Sequence, residues 1–117
     1  MQVFHHLVYE YQKGLRDLAL FTCSAGLLEK IENSLGLQKI DYQVYSLKSD
    51  KINVFFGNSE CIEIVKSFSS QDLSCITTEE DFILGMMLGY AKLQQYQRFL
   101  ARKKSAMQVD TLSLLFG

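Results

Sequence analysis

Residues Thr77 to Lys104, TTEEDFILGMMLGYAKLQQYQRFLARKK, read as one long, mostly buried helix, and this stretch constrains the fold more than any other. Thr77 and Glu80 stand at capping-box spacing, Glu79, Glu80 and Asp81 put negative charge on the first turn, and Arg98, Arg102, Lys103 and Lys104 put positive charge on the last. Both ends thus complement the helix dipole. Gly85 and Gly89 each cost about 0.8 to 1.0 kcal/mol of helix propensity. Their expected role is close packing of this helix on a sheet or on a second subunit. The pattern is that of a scaffold and names no substrate.

The remaining elements follow from local patterning. Val3 to Gln12 alternates with the period of a strand, Lys13-Gly14 supplies a turn, and Leu15 to Thr22 reads as a second strand pairing back on the first, although Leu-Arg-Asp-Leu-Ala-Leu also suits a helix. In that register Val3, His5, Leu7, Tyr9 and Tyr11 form the apolar face, with Phe4, His6, Val8 and Glu10 on the other. Ser24 caps a helix carrying Leu27, Leu28, Ile31 and Leu35, with Gly36 as its C-terminal stop. Ile40 to Leu47 and Ile52 to Phe56 form a hairpin about Lys48-Ser49-Asp50-Lys51. Ser59 to Phe68 reads as a helix with Cys61, Ile64, Val65 and Phe68 inward and Glu60, Glu63 and Lys66 in water.

The expected fold is a single α+β domain over residues 1–104. It has an antiparallel sheet of four to five strands and about three helices in the order ββαββαα. Residues 105–117, SAMQVDTLSLLFG, form a tail expected to dock on the domain, add an edge strand or bind a partner.

Composition removes several function classes. Net charge is −1 with a pI near 6.1, so no global field steers the chain to nucleic acid or an anionic membrane. The longest apolar run, Phe82 to Ala91, falls far short of the roughly 20 residues a bilayer requires, and MQVFHHLVYEY lacks a basic leader. Cys23, Cys61 and Cys75 are an odd number without metal-ligand spacing, each among apolar neighbours, which fits reduced, mostly buried thiols in the cytoplasm. No phosphate loop, nucleophile elbow or dinucleotide fingerprint is present.

The residues that could carry chemistry are few. His5 and His6 are adjacent, so in a strand they point to opposite faces and cannot share a metal unless the fold brings Cys61 or Cys23 to one of them. Cys61, about one turn into its helix, is either an inert apolar thiol or one activated by the helix start. Glu79 to Asp81 could be an acid/base cluster, but capping explains them as they stand. Lys92, Arg98, Arg102, Lys103 and Lys104, with Tyr90, Tyr96 and Phe99 interleaved, suit a solvated face or docking of an acidic protein better than RNA.

The words VFHHLVYEYQKGLRDLALFT, INVFFGNSECIEIV and TTEEDFILGMMLGY together resemble a small bacterial family of uncharacterised proteins, the domain of unknown function numbered twenty twenty-three, over roughly residues 1 to 104. The resemblance implies a compact α+β domain with antiparallel strands and about three helices, and no known activity. Members are often encoded beside a flavodoxin, which implies a redox or iron-limitation setting by association. The family pattern also has an Asp after the Gly-Tyr pair and a Cys within two turns, where this chain has Ala91 and Tyr96.

These readings converge on a non-enzymatic cytoplasmic binding or accessory protein, expected as a homodimer, with no catalytic residue and no cofactor. It is expected to contact another protein through a sheet edge or through the basic helix end, where Arg98, Arg102, Lys103 and Lys104 are the expected docking patch for an acidic redox protein such as a flavodoxin. The alternative is a small metal- or redox-handling protein that uses His5, His6 and Cys61.

Overall fold

The computed structural model describes the backbone of residues 1–116 and the side chains of residues 1–107. The elements are α1 (Gln2–Gln12), β1 (Leu18–Ser24), α2 (Leu28–Leu37), β2 (Asp41–Ser46), β3 (Lys51–Gly57), α3 (Ser59–Lys66), α4 (Thr78–Met87) and α5 (Lys92–Phe116), with a 3₁₀ turn at Ala25–Leu27. The class is α+β as expected, but the described residues form a three-stranded antiparallel sheet, ordered β1-β3-β2, and five α-helices.

The sheet is covered on both faces, which explains the nearly continuous apolar run in its central strand. On one face Ile52, Val54 and Phe56 of β3 pack with Phe4 and Val8 of α1 and with Ile31 and Leu35 of α2. On the other, Phe55 packs with Ile62 and Val65 of α3, with Leu84 of α4 and with Leu88 just past its end. The β2–β3 hairpin forms where the sequence places it, and Ser49 and Asp50 adopt φ of 60° and 59° at its tip. That pair of positive values matches the right-handed twist of the flanking strands.

The first expected strand is instead helix α1. Phe4, Leu7, Val8 and Tyr11 also recur at helical spacing, and burying that stripe places Phe4 and Val8 in the core while Val3 is left 63% exposed. The helix therefore mixes the two faces assigned by alternation: Phe4 and Val8 from one are buried, Leu7 and Tyr11 from the other pack against them, and His6 is exposed as expected. Gly14, expected as a hairpin turn, has φ 76° and ends α1: its N–H donates to Tyr11 O, and Leu15 N–H donates to Glu10 O. This is a Schellman stop, in which a left-handed residue satisfies the last carbonyls of a helix. The second expected strand begins only at Leu18 and pairs with β3, Phe21 opposite Val54.

Ser24 does cap, its hydroxyl accepting from Gly26 N–H as the chain turns toward α2. Gly36, however, lies within α2, and the stop is Lys39 at φ 57°, with Ile40 N–H donating to Leu35 O. In α3 the buried positions are Ile62 and Val65, whereas Ile64 is 39% exposed.

The long helix expected from Thr77 to Lys104 is broken into an antiparallel pair. Gly89 at φ 79° terminates α4 by the same device, with Gly89 N–H donating to Met86 O and Tyr90 N–H to Gly85 O, and α5 starts afresh at Lys92. The tail backbone continues α5 as helix through Phe116 rather than forming an edge strand. The side chains of Leu112, Leu114 and Phe116, on which docking of the tail was expected to rest, lie outside the described residues.

Candidate functional site

The C-terminal hairpin gathers most of the polar chemistry of the chain. At its start Thr77 Oγ1 accepts from Glu80 N–H, and Glu80 Oε1 accepts from Thr77 N–H, so the capping box is complete. The same Glu80 carboxylate accepts from the N–H and hydroxyl of Ser69 at 2.8 and 2.6 Å, pinning the loop before α4. These hydrogen bonds, that from the Ser69 hydroxyl foremost, hold the Glu80 carboxyl below its usual range.

Asp81 faces α5 and takes two bonds from Arg98, at 2.8 and 3.0 Å, and an ion pair with Arg102 at 3.1 Å. The Arg98 hydrogen bond is the main reason its carboxyl lies below the ordinary value, against an opposing effect of burial. Lys103 pairs with Glu79 and sits 5.9 Å from the Phe99 ring centroid. The acids of the first turn therefore have structural partners. Of the four cations expected to dock a partner, Arg98, Arg102 and Lys103 are engaged by α4, and Lys104 is exposed outside these pairs.

Below this clasp lies a cavity of about 450 Å³. Leu20 of β1, Leu84 of α4, Leu88 just past its end, and Leu73 and Ile76 of the preceding loop give it an apolar lining, and Asp81, Arg98 and Tyr90 also border it. Gln95 of α5 lines it too, although it is only 9% exposed. A Cβ on Gly85 would collide with the Gln95 amide, so the expected close approach at this glycine is between α4 and α5, within the hairpin. Gly89 instead serves the turn, with open space around it.

The outer side of α5 is different. Leu93, Leu100 and Met107 are 66%, 65% and 67% exposed and recur at heptad spacing, roughly 120–160° around the helix from Gln95. Tyr96 stands at the margin of this ridge, its ring 6.1 Å from Phe82. The spacing was legible in the sequence, but the expectation of a buried helix hid it. Gln95 carries no sequence signal, since its role depends on the turn at Gly89.

His5, His6 and Cys61 do not assemble. His6 lies on α1 and pairs with Glu10 at 3.1 Å, whereas Cys61 is on α3 within the opposite core. Among the described residues no group of three or more His, Cys, Asp or Glu side chains is placed to hold a metal ion. Burial, with the charges of Asp17 and Glu60, pushes the Cys61 thiol above its usual value, the reverse of helix-start activation. The cysteines are free, but Cys75 is exposed rather than buried, and Cys23 and Cys61 are half-buried.

A polar tie missed by the sequence reading is Arg16. Its Nη1 donates to Leu88 O at the end of α4 and its Nη2 to Glu10 of α1, at 3.2 and 3.3 Å. It thereby joins the N-terminal helix to the hairpin and opposes the partial negative charge of a helix C-terminus.

No described helix is long and apolar enough to cross a membrane. Comparison with curated proteins finds no match. Residues 2–102, nearly the whole domain, match the family described as Protein of unknown function (DUF2023), and the chain belongs to that family.

Proposed function

We propose that this protein is a non-enzymatic binding or accessory protein that docks a second protein along the outer side of α5. The observation supporting this reading is the exposed ridge of Leu93, Leu100 and Met107, since apolar side chains aligned on one helix face suit insertion into a partner's groove. Lys92 and Lys104 are also exposed on α5, so the complementary surface is an apolar strip bordered by acids. An acidic redox protein of the flavodoxin type, in the cytoplasm, fits that description and the family resemblance.

The test is a pull-down of purified flavodoxin on the immobilised protein at low and high salt. Capture at low salt that is lost on raising salt and on Leu100→Glu supports the reading. No capture at low salt removes the flavodoxin partner. A homodimer through the same ridge is the second reading, favoured by the heptad recurrence of Leu93, Leu100 and Met107. Light scattering decides it, because a dimer doubles the 13.4 kDa mass and Leu100→Glu restores the monomer.

A further inference from the structure

We propose that the cavity between β1 and the α4–α5 hairpin is a binding site for a neutral, flat, largely apolar small molecule that presents a lactam or carboxamide edge to the Gln95 side chain. Three observations carry this. First, the volume of about 450 Å³ lies within the range of small-molecule sites, and like them it combines aliphatic walls with few polar groups.

Second, the Gln95 side chain lines this cavity with its amide uncommitted to other side chains. The residue is more than nine-tenths buried, and its side chain makes no hydrogen bond to any described residue. Among the described residues only Arg16 Nε is a buried side-chain polar atom without a partner, so the Gln95 amide keeps contact with water, and a ligand entering the cavity would meet a polar edge still open for hydrogen bonding. A primary amide offers a donor and an acceptor side by side. Its natural complement is another amide edge, which closes two hydrogen bonds at once. Gly85 fixes the height of this group, because any larger residue there would displace the Gln95 amide.

Third, the surroundings are preformed and electrically satisfied. The loop that contributes Leu73 and Ile76 is tied down by Glu80 holding Ser69 and by Asp72 accepting from Ser74 N–H at 2.9 Å. At the rim, Asp81 and Arg98 neutralise each other, so the cavity selects for shape and hydrogen bonding rather than for charge. Tyr90, 53% exposed at the same rim, supplies an aromatic face for a flat ring.

The test uses oxindole, a flat bicyclic lactam, and indane, its hydrocarbon counterpart, titrated into the isotope-labelled full chain and followed by NMR. Oxindole is expected to shift the Gln95 side-chain amide resonances and the Leu84 and Leu88 methyl groups, and to bind about tenfold more tightly than indane, as two modest hydrogen bonds imply. Gln95→Leu is expected to erase the preference for oxindole. If that variant does not fold, Gln95→Met serves in its place, and the oxindole-to-indane ratio on the unaltered protein stands alone. Absence of shifts at the solubility limit, shifts remote from the cavity, or equal binding of the two probes would each overturn the proposal.

Discussion

Val54, Phe55 and Phe56 of the central strand are fully buried between helices on both sides of the sheet, whereas the α4–α5 hairpin closes over a cavity and is fastened by charged groups near its surface. Apolar burial is non-directional and involves no titrating group, so the sheet layer does not depend on pH through its own contacts. The hairpin shares that apolar core through Leu84 and Leu88 but adds a clasp whose contribution requires Asp81 to be ionised. The same contrast separates core from surface: β3 leaves no large apolar side chain to solvent, while α5 displays several.

Substitutions can break this comparison or sharpen it. Phe56→Ala, at a fully buried position of β3, is expected to cost about 3–5 kcal/mol and to unfold both regions together in a denaturant titration followed by circular dichroism. Loss of the sheet with the hairpin retained would contradict the shared core of Leu84, Leu88 and Phe55. Gly57→Ala should cost about 2–3 kcal/mol, since the residue has φ 147° and an added Cβ would meet Asp17 O at the start of β1. Its thermal midpoint should fall without any change in the hairpin's salt dependence.

Asp81→Asn is expected to cost about 1 kcal/mol, because it leaves the shape but removes a carboxylate shared by Arg98 and Arg102. Hydrogen exchange should speed up in α5 before it does in β3. The pH dependence follows the same group. Its folded pKa is depressed below the unfolded value near 4, so the unfolded chain binds more protons between the two. The stabilisation is full above about pH 4 and is lost as pH falls through the depressed folded value. The Asn variant should lack this acid-side loss. Smallest of all, Leu100→Glu should change stability by no more than about 0.5 kcal/mol, as its side chain is 65% exposed, while abolishing association through the ridge.

Much of the sheet layer was legible because its signals are local. The β2–β3 hairpin, the Ser24 and Thr77 caps and the Ile31–Leu35 stripe need only neighbouring residues to be read. Residues 3–12 misled because Val, Phe, His, Leu and Tyr satisfy period two and period 3.6 alike, and only the sheet's uncovered face chooses between them. Gly14, Lys39 and Gly89 share one role as left-handed helix stops. The sequence reading gave Gly14 to a hairpin and Gly89 to packing, and it passed over Lys39, since a lysine carries no such signal. Once Gly89 is read as a stop, the basic end of α5 folds back on the acids of α4, which is why Arg98, Arg102 and Lys103 of the expected docking patch also form ion pairs within the hairpin. Gln95 and the cavity could not be read, for they exist only after that turn is made.

The chain extends 56 Å along its longest axis, with a radius of gyration of 16.6 Å against about 13 Å for a compact domain of this length. The cause is the disparity between α4, ten residues long, and α5, twenty-five, which carries the backbone roughly 20 Å beyond Lys103. Mechanically, that overhang is a lever whose fulcrum is the Asp81 clasp. A load applied near its tip becomes a torque on Arg98 and Arg102, so anything that grips the overhang also strains the wall that shelters Gln95.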